Sequence, residues 1–306
     1  MKLGLVLSGG GARGAYQIGV WKALNKLKID RYITGISGVS IGALNSMFLI
    51  QDDIEIAEEI WESITLEKIL PTDNIDIMAR GMLLSLGSKK IEFIKKYMPQ
   101  ILEKGNISRD WLIRVISNYL DFNKIISQKR TCYVTCTELS NLEARYFKVN
   151  NYSKEEIKNI LLATSALPII YQSEKIEGKK YLDGAISDNI PIQPLYREGF
   201  DLIIVVHLSK DGFVNKFKFS NAKFIEIRPT SEKFLSSDIL NFSKENIKTK
   251  IKEGYDDTLN LFEPIIKIIK LQIEKLPGKI VVNVAKELKS KSLKFKKLLK
   301  HEKNNE

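Results

Sequence analysis

Histidine is nearly missing from this chain, with two residues, His207 and His301, in 306. A histidine-based mechanism has only these candidates, and His301 lies in a charged tail. Cysteine is equally sparse. Cys132 and Cys136 share one strand-like run, Thr131 to Thr137, where they would stand about 13 Å apart, too far for a disulfide. They read as buried thiols in a reducing compartment. No apolar run approaches the roughly 18 residues of a membrane-spanning helix. Met1 to Leu7 is too short ahead of the glycines at Gly9 to be a signal peptide and reads as a first strand.

What is present is an ordinary globular composition, 44% hydrophobic and 28% charged, long enough for one large α/β domain or two small ones. The formal charge of +11 is uneven. From Glu263 to the end there are 12 Lys against 5 Glu, net +7, which leaves +4 for residues 1–262.

Leu3 to Ser8 reads as a buried strand, the glycine cluster as the loop after it, and Ile18, Trp21, Leu24 and Leu27 as one face of a helix. A second short strand (Tyr32, Ile33, then Gly35-Ile36) runs into another glycine-flanked turn. This βαβ-type opening argues for a mainly parallel sheet with helices on its faces. Met78 to Leu86, apolar with Gly81 and Gly87 near its ends, reads as a cap over a cleft. Ser153 with Glu156 forms a capping box ahead of Ile157, Ile160 and Leu161. Lys175-Ile176 and Lys180-Tyr181-Leu182 flank Glu177-Gly178 as a hairpin that delivers Asp183-Gly184-Ala185 at a strand end. Leu202 to Leu208 is a continuous run of buried-strand type.

Gly38-Val39-Ser40-Ile41-Gly42 carries the first chemical signal. A serine with glycines two positions to either side, between a strand and an apolar helix, is the nucleophile-elbow pattern. The turn is sharp and strained, and larger neighbours than Gly38 and Gly42 would clash with the crossing strand and helix. A serine hydroxyl needs a base within hydrogen-bond reach. His207 ends an apolar strand, and Ser40, Asp183 and His207 follow the chain order of an α/β-hydrolase triad. Asp183 is the other candidate base: its Asp-Gly turn frees a carboxylate at a loop, and a water-poor cleft raises its pKa towards a working range. Consecutive glycines at Gly9, Gly10 and Gly11, with Ala12, Arg13 and Gly14, let backbone N–H groups converge on an anion at a helix start. A dinucleotide site would want an acidic residue at the end of the second strand. Gly35 to Ser40 occupies that place and Asp30 precedes it, so the loop reads as an oxyanion hole, with Arg13 adding positive field or pairing with a carboxylate.

Together these stretches resemble the patatin-like phospholipase family, over residues 3 to about 262. Gly9 to Gly14 is similar to the family's oxyanion motif, Gly38 to Gly42 to its nucleophile motif, and Asp183-Gly184-Ala185 to its Asp-Gly-Ala/Gly motif. Ala163-Thr164-Ser165-Ala166-Leu167-Pro168 and Asp188-Asn189-Ile190-Pro191 also look like the family. The resemblance implies a three-layer α/β fold with a central mainly parallel sheet. It implies an acyl hydrolase with a Ser40–Asp183 dyad, no third residue, no metal and no cofactor, acting on phospholipid or lysophospholipid esters. The alternatives are a serine esterase using Ser40, Asp183 and His207, or a catalytically silent lipid- or anion-binding protein.

Residues 1–262 are thus expected to form the catalytic domain and 263–306 a basic helical extension. In the extension, Pro264 opens a segment with Ile265, Ile269, Ile273 and Leu276 on one face, and Pro277-Gly278 breaks it. Val281, Val284, Leu288, Phe295 and Leu299 then line a stripe opposite lysines. Such helices pack on a protein body or lie on anionic bilayers. Nucleic acid is not an expected partner, because Phe295 is the only aromatic beyond Phe262. The expected location is cytoplasmic, with peripheral contact at the inner face of the membrane.

Overall fold

The computed structural model describes residues 2–69, 105–231 and 236–274. β1 (Leu3–Leu7), buried at every position, ends in the glycine loop, a short 3-10 turn (Gly11–Gly14) and α1 (Ala15–Lys26). β2 (Ile33–Val39) leads through Ser40 into α2 (Ile41–Ile50), followed by α3 (Ile54–Ser63) and α4 (Leu66–Ile69). After the segment outside the described residues, which holds the Met78–Leu86 stretch, come α5 (Asp110–Tyr119), α6 (Phe122–Ser127), β3 (Thr131–Glu138) and β4 (Ala144–Lys148). α7 (Lys154–Thr164) starts at the expected capping box of Ser153 and Glu156. The hairpin β5 (Glu174–Ile176) and β6 (Lys179–Asp183) precedes α8 (Gln193–Arg197), β7 (Leu202–Val206), β8 (Lys223–Ile227) and α9 (Lys244–Glu274). Cys132 and Cys136 are buried free thiols.

The eight strands form one sheet in the order β5-β6-β3-β2-β1-β7-β8, with β4 added on β3. β3, β2, β1, β7 and β8 are mutually parallel, and β4, β5 and β6 pair antiparallel. Alternation along the strands divides the core. Val6, Ile203 and Val205 pack with Leu195 of α8 and Phe200, while α2 lies on β2 and α7 on β3. This is the α/β architecture of a central sheet flanked by helices.

One detail of the register builds the site. β4 pairs with Tyr133 to Thr137 along one edge of β3. The other edge is shared end to end: Val39 of β2 pairs with Thr135, and Asp183 of β6 pairs with Cys136, the next residue. β2 leaves the sheet at Ser40 and β6 arrives in the space it vacates. Ser40, the residue after the last rung of β2, thereby meets Asp183, 143 positions away in the chain.

The chain divides into two compact units, Met1–Thr258 and Leu259–Glu306. Within the first, the start of α9 crosses α1 at backbone contact. A Cβ on Gly19 would lie 1.8 Å from the Ile251 carbonyl oxygen, and one on Gly254 2.0 Å from that of Tyr16. α9 continues through Pro264, where the sequence reading expected a new segment to open. Proline forfeits one helical hydrogen bond, to the carbonyl of Asn260, an exposed residue. In the second unit, Leu261, Ile265, Ile268, Ile269 and Leu271 are exposed beside Lys267 and Lys270. The segments read from Pro277 onwards lie outside the described residues.

Candidate active site

Ser40 occupies the turn from β2 to α2 with φ 53° and ψ −126°, a conformation that L-residues rarely adopt. The turn is this tight because α2 starts against β1: a Cβ on Gly42 would sit 2.3 Å from the Leu7 carbonyl oxygen. Its backbone is tied from the side. Ser40 N–H donates to Thr164 Oγ1 at 2.9 Å, and the Thr164 hydroxyl donates to the Thr135 carbonyl at 2.5 Å.

Ser40 Oγ donates to Asp183 Oδ2 at 2.7 Å. The second carboxylate oxygen, Oδ1, accepts the Ala185 N–H at 2.9 Å, because Asp183 caps the short 3-10 turn Gly184–Ile186. Asp183 N–H donates to the Ala166 carbonyl and Thr137 Oγ1 donates to the Asp183 carbonyl, at 2.9 and 2.8 Å. The carboxylate is fully buried at the end of β6, and burial pushes its pKa from 3.8 up to about 7 against the lowering effect of the Ser40 and Ala185 hydrogen bonds.

The expected oxyanion loop does not act as one surface. Gly9 N–H donates to Asn189 Oδ1 at 3.0 Å, and Arg13 N–H to the Gly10 carbonyl at 3.3 Å. Ala12, Arg13 and Gly14 are buried in the 3-10 turn. Gly10 and Gly11 line a cavity with Ser40, and among the described residues neither N–H has an acceptor. That cavity, about 760 Å³ including its mouth, is walled mainly by apolar side chains, among them Ile41, Leu44, Leu112, Leu167 and Phe242. Arg109 also borders it, held by Glu174 and by the Leu162 carbonyl at 2.7 Å. Arg13 turns the other way, into a second, more polar cavity with Ser8, Asn189 and His207. Burial brings its pKa down to about 10, countered by the charge of Asp238.

His207 is not brought to Ser40. Its Nε2 lies 3.1 Å from Glu226 Oε2, and burial holds its pKa below the ordinary histidine value. Asp183 spends its carboxylate oxygens on Ser40 and Ala185, so the Ser40–Asp183–His207 triad weighed from the sequence is not assembled. Among the described residues no group of three or more His, Cys, Asp or Glu would hold a metal ion, and no helix is long and apolar enough to cross a membrane. Two supporting residues, Thr164 and Asn189, stood inside family-like stretches of the sequence without a role.

The model of the patatin-like phospholipase family matches residues 5–196. The chain belongs to this family. It is 27% identical over 250 residues to the probable lipid hydrolase 463L of Invertebrate iridescent virus 6, covering 77% of this chain and 82% of that protein. It is 23% identical over 211 residues to the uncharacterized protein YjjU of Escherichia coli (strain K12), covering 67% of this chain. The chain spans about half, 51%, of YjjU. The crystal structure of VipD from Legionella pneumophila superposes with a TM-score of 0.51 at 18% identity, over 86% of this chain and 67% of that one, a likeness of fold.

Proposed function

We propose that this patatin-like protein is a serine lipid acyl hydrolase of the phospholipase A or lysophospholipase type, working through a Ser40–Asp183 dyad. The observation that carries the reading is the 2.7 Å hydrogen bond from Ser40 Oγ to a buried carboxylate whose pKa lies at about 7. A base poised there is ionised in a useful fraction at neutral pH and still accepts a proton readily.

In the first half-reaction Ser40 Oγ attacks the ester carbonyl carbon while Asp183 Oδ2 takes its proton. The carbonyl oxygen becomes an oxyanion facing the Gly10 and Gly11 N–H groups, each donor contributing about 3 to 4 kcal/mol. Collapse breaks the bond to the alcohol, which leaves with the proton from Asp183, and the acyl group stays on Ser40. In the second half-reaction Asp183 takes a proton from water as it attacks the acyl-enzyme. The same oxyanion site is reused, the fatty acid leaves, and the proton returns to Ser40 Oγ. The apolar cavity beside Ser40 suits the acyl chain of such a substrate. The C-terminal extension, with exposed Ile265 and Ile268 beside Lys267 and Lys270, is read as a peripheral contact with anionic membrane at the cytoplasmic face.

Fatty-acid release from vesicles of defined phospholipids and lysophospholipids tests this reading. Release by the wild type that disappears in Ser40→Ala and Asp183→Asn supports it. Undiminished release in Ser40→Ala, or none from any lipid class by the folded wild type, overturns it.

A further inference from the structure

The crossover from β7 to β8 carries a surface that the chemistry at Ser40 leaves unused. Its root belongs to the site. Leu208 packs so closely on Gly10 that a Cβ there would lie 2.9 Å from Leu208 Cδ1. Ser209 and Gly212 line the polar cavity with Ser8 and Gly9. The crossover is then pinned twice. Val214 is buried, and its N–H donates to Glu226 Oε2 at 3.2 Å. Phe219 sits edge-on to Tyr196 and Phe224, with ring centroids 5.2 and 6.0 Å away.

Beside those anchors two rings stand in solvent, Phe213 at 70% and Phe217 at 98% exposure. Neither contributes to the core, although the neighbouring Phe219 does. Four lysines (210, 216, 218 and 223) against Asp211 give residues 207–223 a net charge of +3. Lys216 pairs with Glu226 at 3.2 Å, and the same carboxylate holds Arg228 at 2.6 Å, so extending the count to residue 228 adds one charge of each sign and leaves the net at +3.

We propose that this crossover is an interfacial docking element. Phe213 and Phe217 enter the acyl boundary of an anionic bilayer, and the surrounding lysines face its phosphates. Rings flanked by cations match both layers of such a surface, the apolar boundary and the negative headgroups above it. A second copy of the chain fits poorly, because pairing this patch with itself would bring two surfaces of net +3 together. The choice of lipid as partner rests on the lipid-hydrolase reading, and the contact is separate from that of the C-terminal extension.

The test uses the full chain in a Ser40→Ala background, so that no lipid is consumed. Phe217→Trp reports on the ring's surroundings by difference emission against the parent. With phosphatidylglycerol-containing vesicles, the emission should shift to the blue and be quenched by brominated acyl chains. With phosphatidylcholine alone, or at high salt, the change should largely vanish. Phe213→Ser combined with Phe217→Ser should lower partitioning onto anionic vesicles about tenfold or more, with the melting temperature unchanged because both rings are already exposed. Sedimentation with vesicles and no spectral change at position 217 overturns the proposal, as does undiminished partitioning of the double variant. Self-association of the parent that the double variant abolishes also overturns it, assigning the patch to a second copy. Docking by a wild type that releases no fatty acid would leave this inference standing and remove the hydrolase reading.

Discussion

Thr164 Oγ1 accepts the N–H of Ser40 at 2.9 Å while its own proton goes to the Thr135 carbonyl. One hydroxyl thus ties the strained turn to the strand that also pairs with Asp183. Thr164→Val keeps the shape and removes both bonds, leaving a buried carbonyl and an amide without partners. The expected loss is roughly 2 kcal/mol or more in denaturant unfolding. Turnover should fall at least about tenfold, because the angle of Ser40 towards Asp183 loosens.

The buried carboxyl of Asp183 sets the pH dependence. Since the base must be ionised, kcat/KM on a soluble ester should rise with pH, with a midpoint at about 7, and then level off. A profile flat from roughly pH 5 to 8 would contradict this.

Stability should move the opposite way. A carboxyl held at about 7 in the native state and 3.8 when unfolded keeps its proton more tightly when folded, so stability declines as pH rises between those values. The span corresponds to about 4 kcal/mol at most. Asp183→Asn removes this decline. Its stability relative to wild type should therefore improve steadily from about pH 4 to pH 8 in urea titrations, while activity is lost.

His207→Gln should retain Ser40-dependent turnover within about threefold, since His207 bonds Glu226 and not Ser40. Steady-state kinetics on a soluble ester checks this, and a loss of about a thousandfold or more would bring the triad back.

Lys250 is 1% exposed, with Nζ 3.0 Å from both Asp238 Oδ2 and Glu253 Oε2. Asp238 in turn acts on Arg13 of the glycine loop, and the neighbouring Ile239 lines the cavity beside Ser40. Lys250→Met leaves these carboxylates without their buried cation. It should cost about 3 to 5 kcal/mol in chemical denaturation at neutral pH.

The parts of this site that sterics dictate were legible in the residues. Glycines at 38 and 42 are required by crossing backbones, and the runs Leu3 to Leu7 and Leu202 to Val206 are apolar because both faces of the sheet are covered. The capping box at Ser153 and the hairpin at Glu177-Gly178 are local, and local chemistry is written in adjacent letters. Thr164 and Asn189 work through hydrogen bonds to residues 124 and 180 positions away, which no local pattern encodes. The burial of Asp183 likewise depends on β6 filling the space that β2 leaves on β3. Pro264 misled for the converse reason, since an exposed helix tolerates one missing hydrogen bond.

The central claim is that Ser40 is a nucleophile made reactive by Asp183. The direct measurement is labelling with a fluorophosphonate, followed by peptide mass spectrometry. The account predicts an adduct on the peptide containing Ser40, absent in Ser40→Ala and formed far more slowly in Asp183→Asn. An adduct on another residue, or equal labelling of Asp183→Asn and wild type, would contradict it.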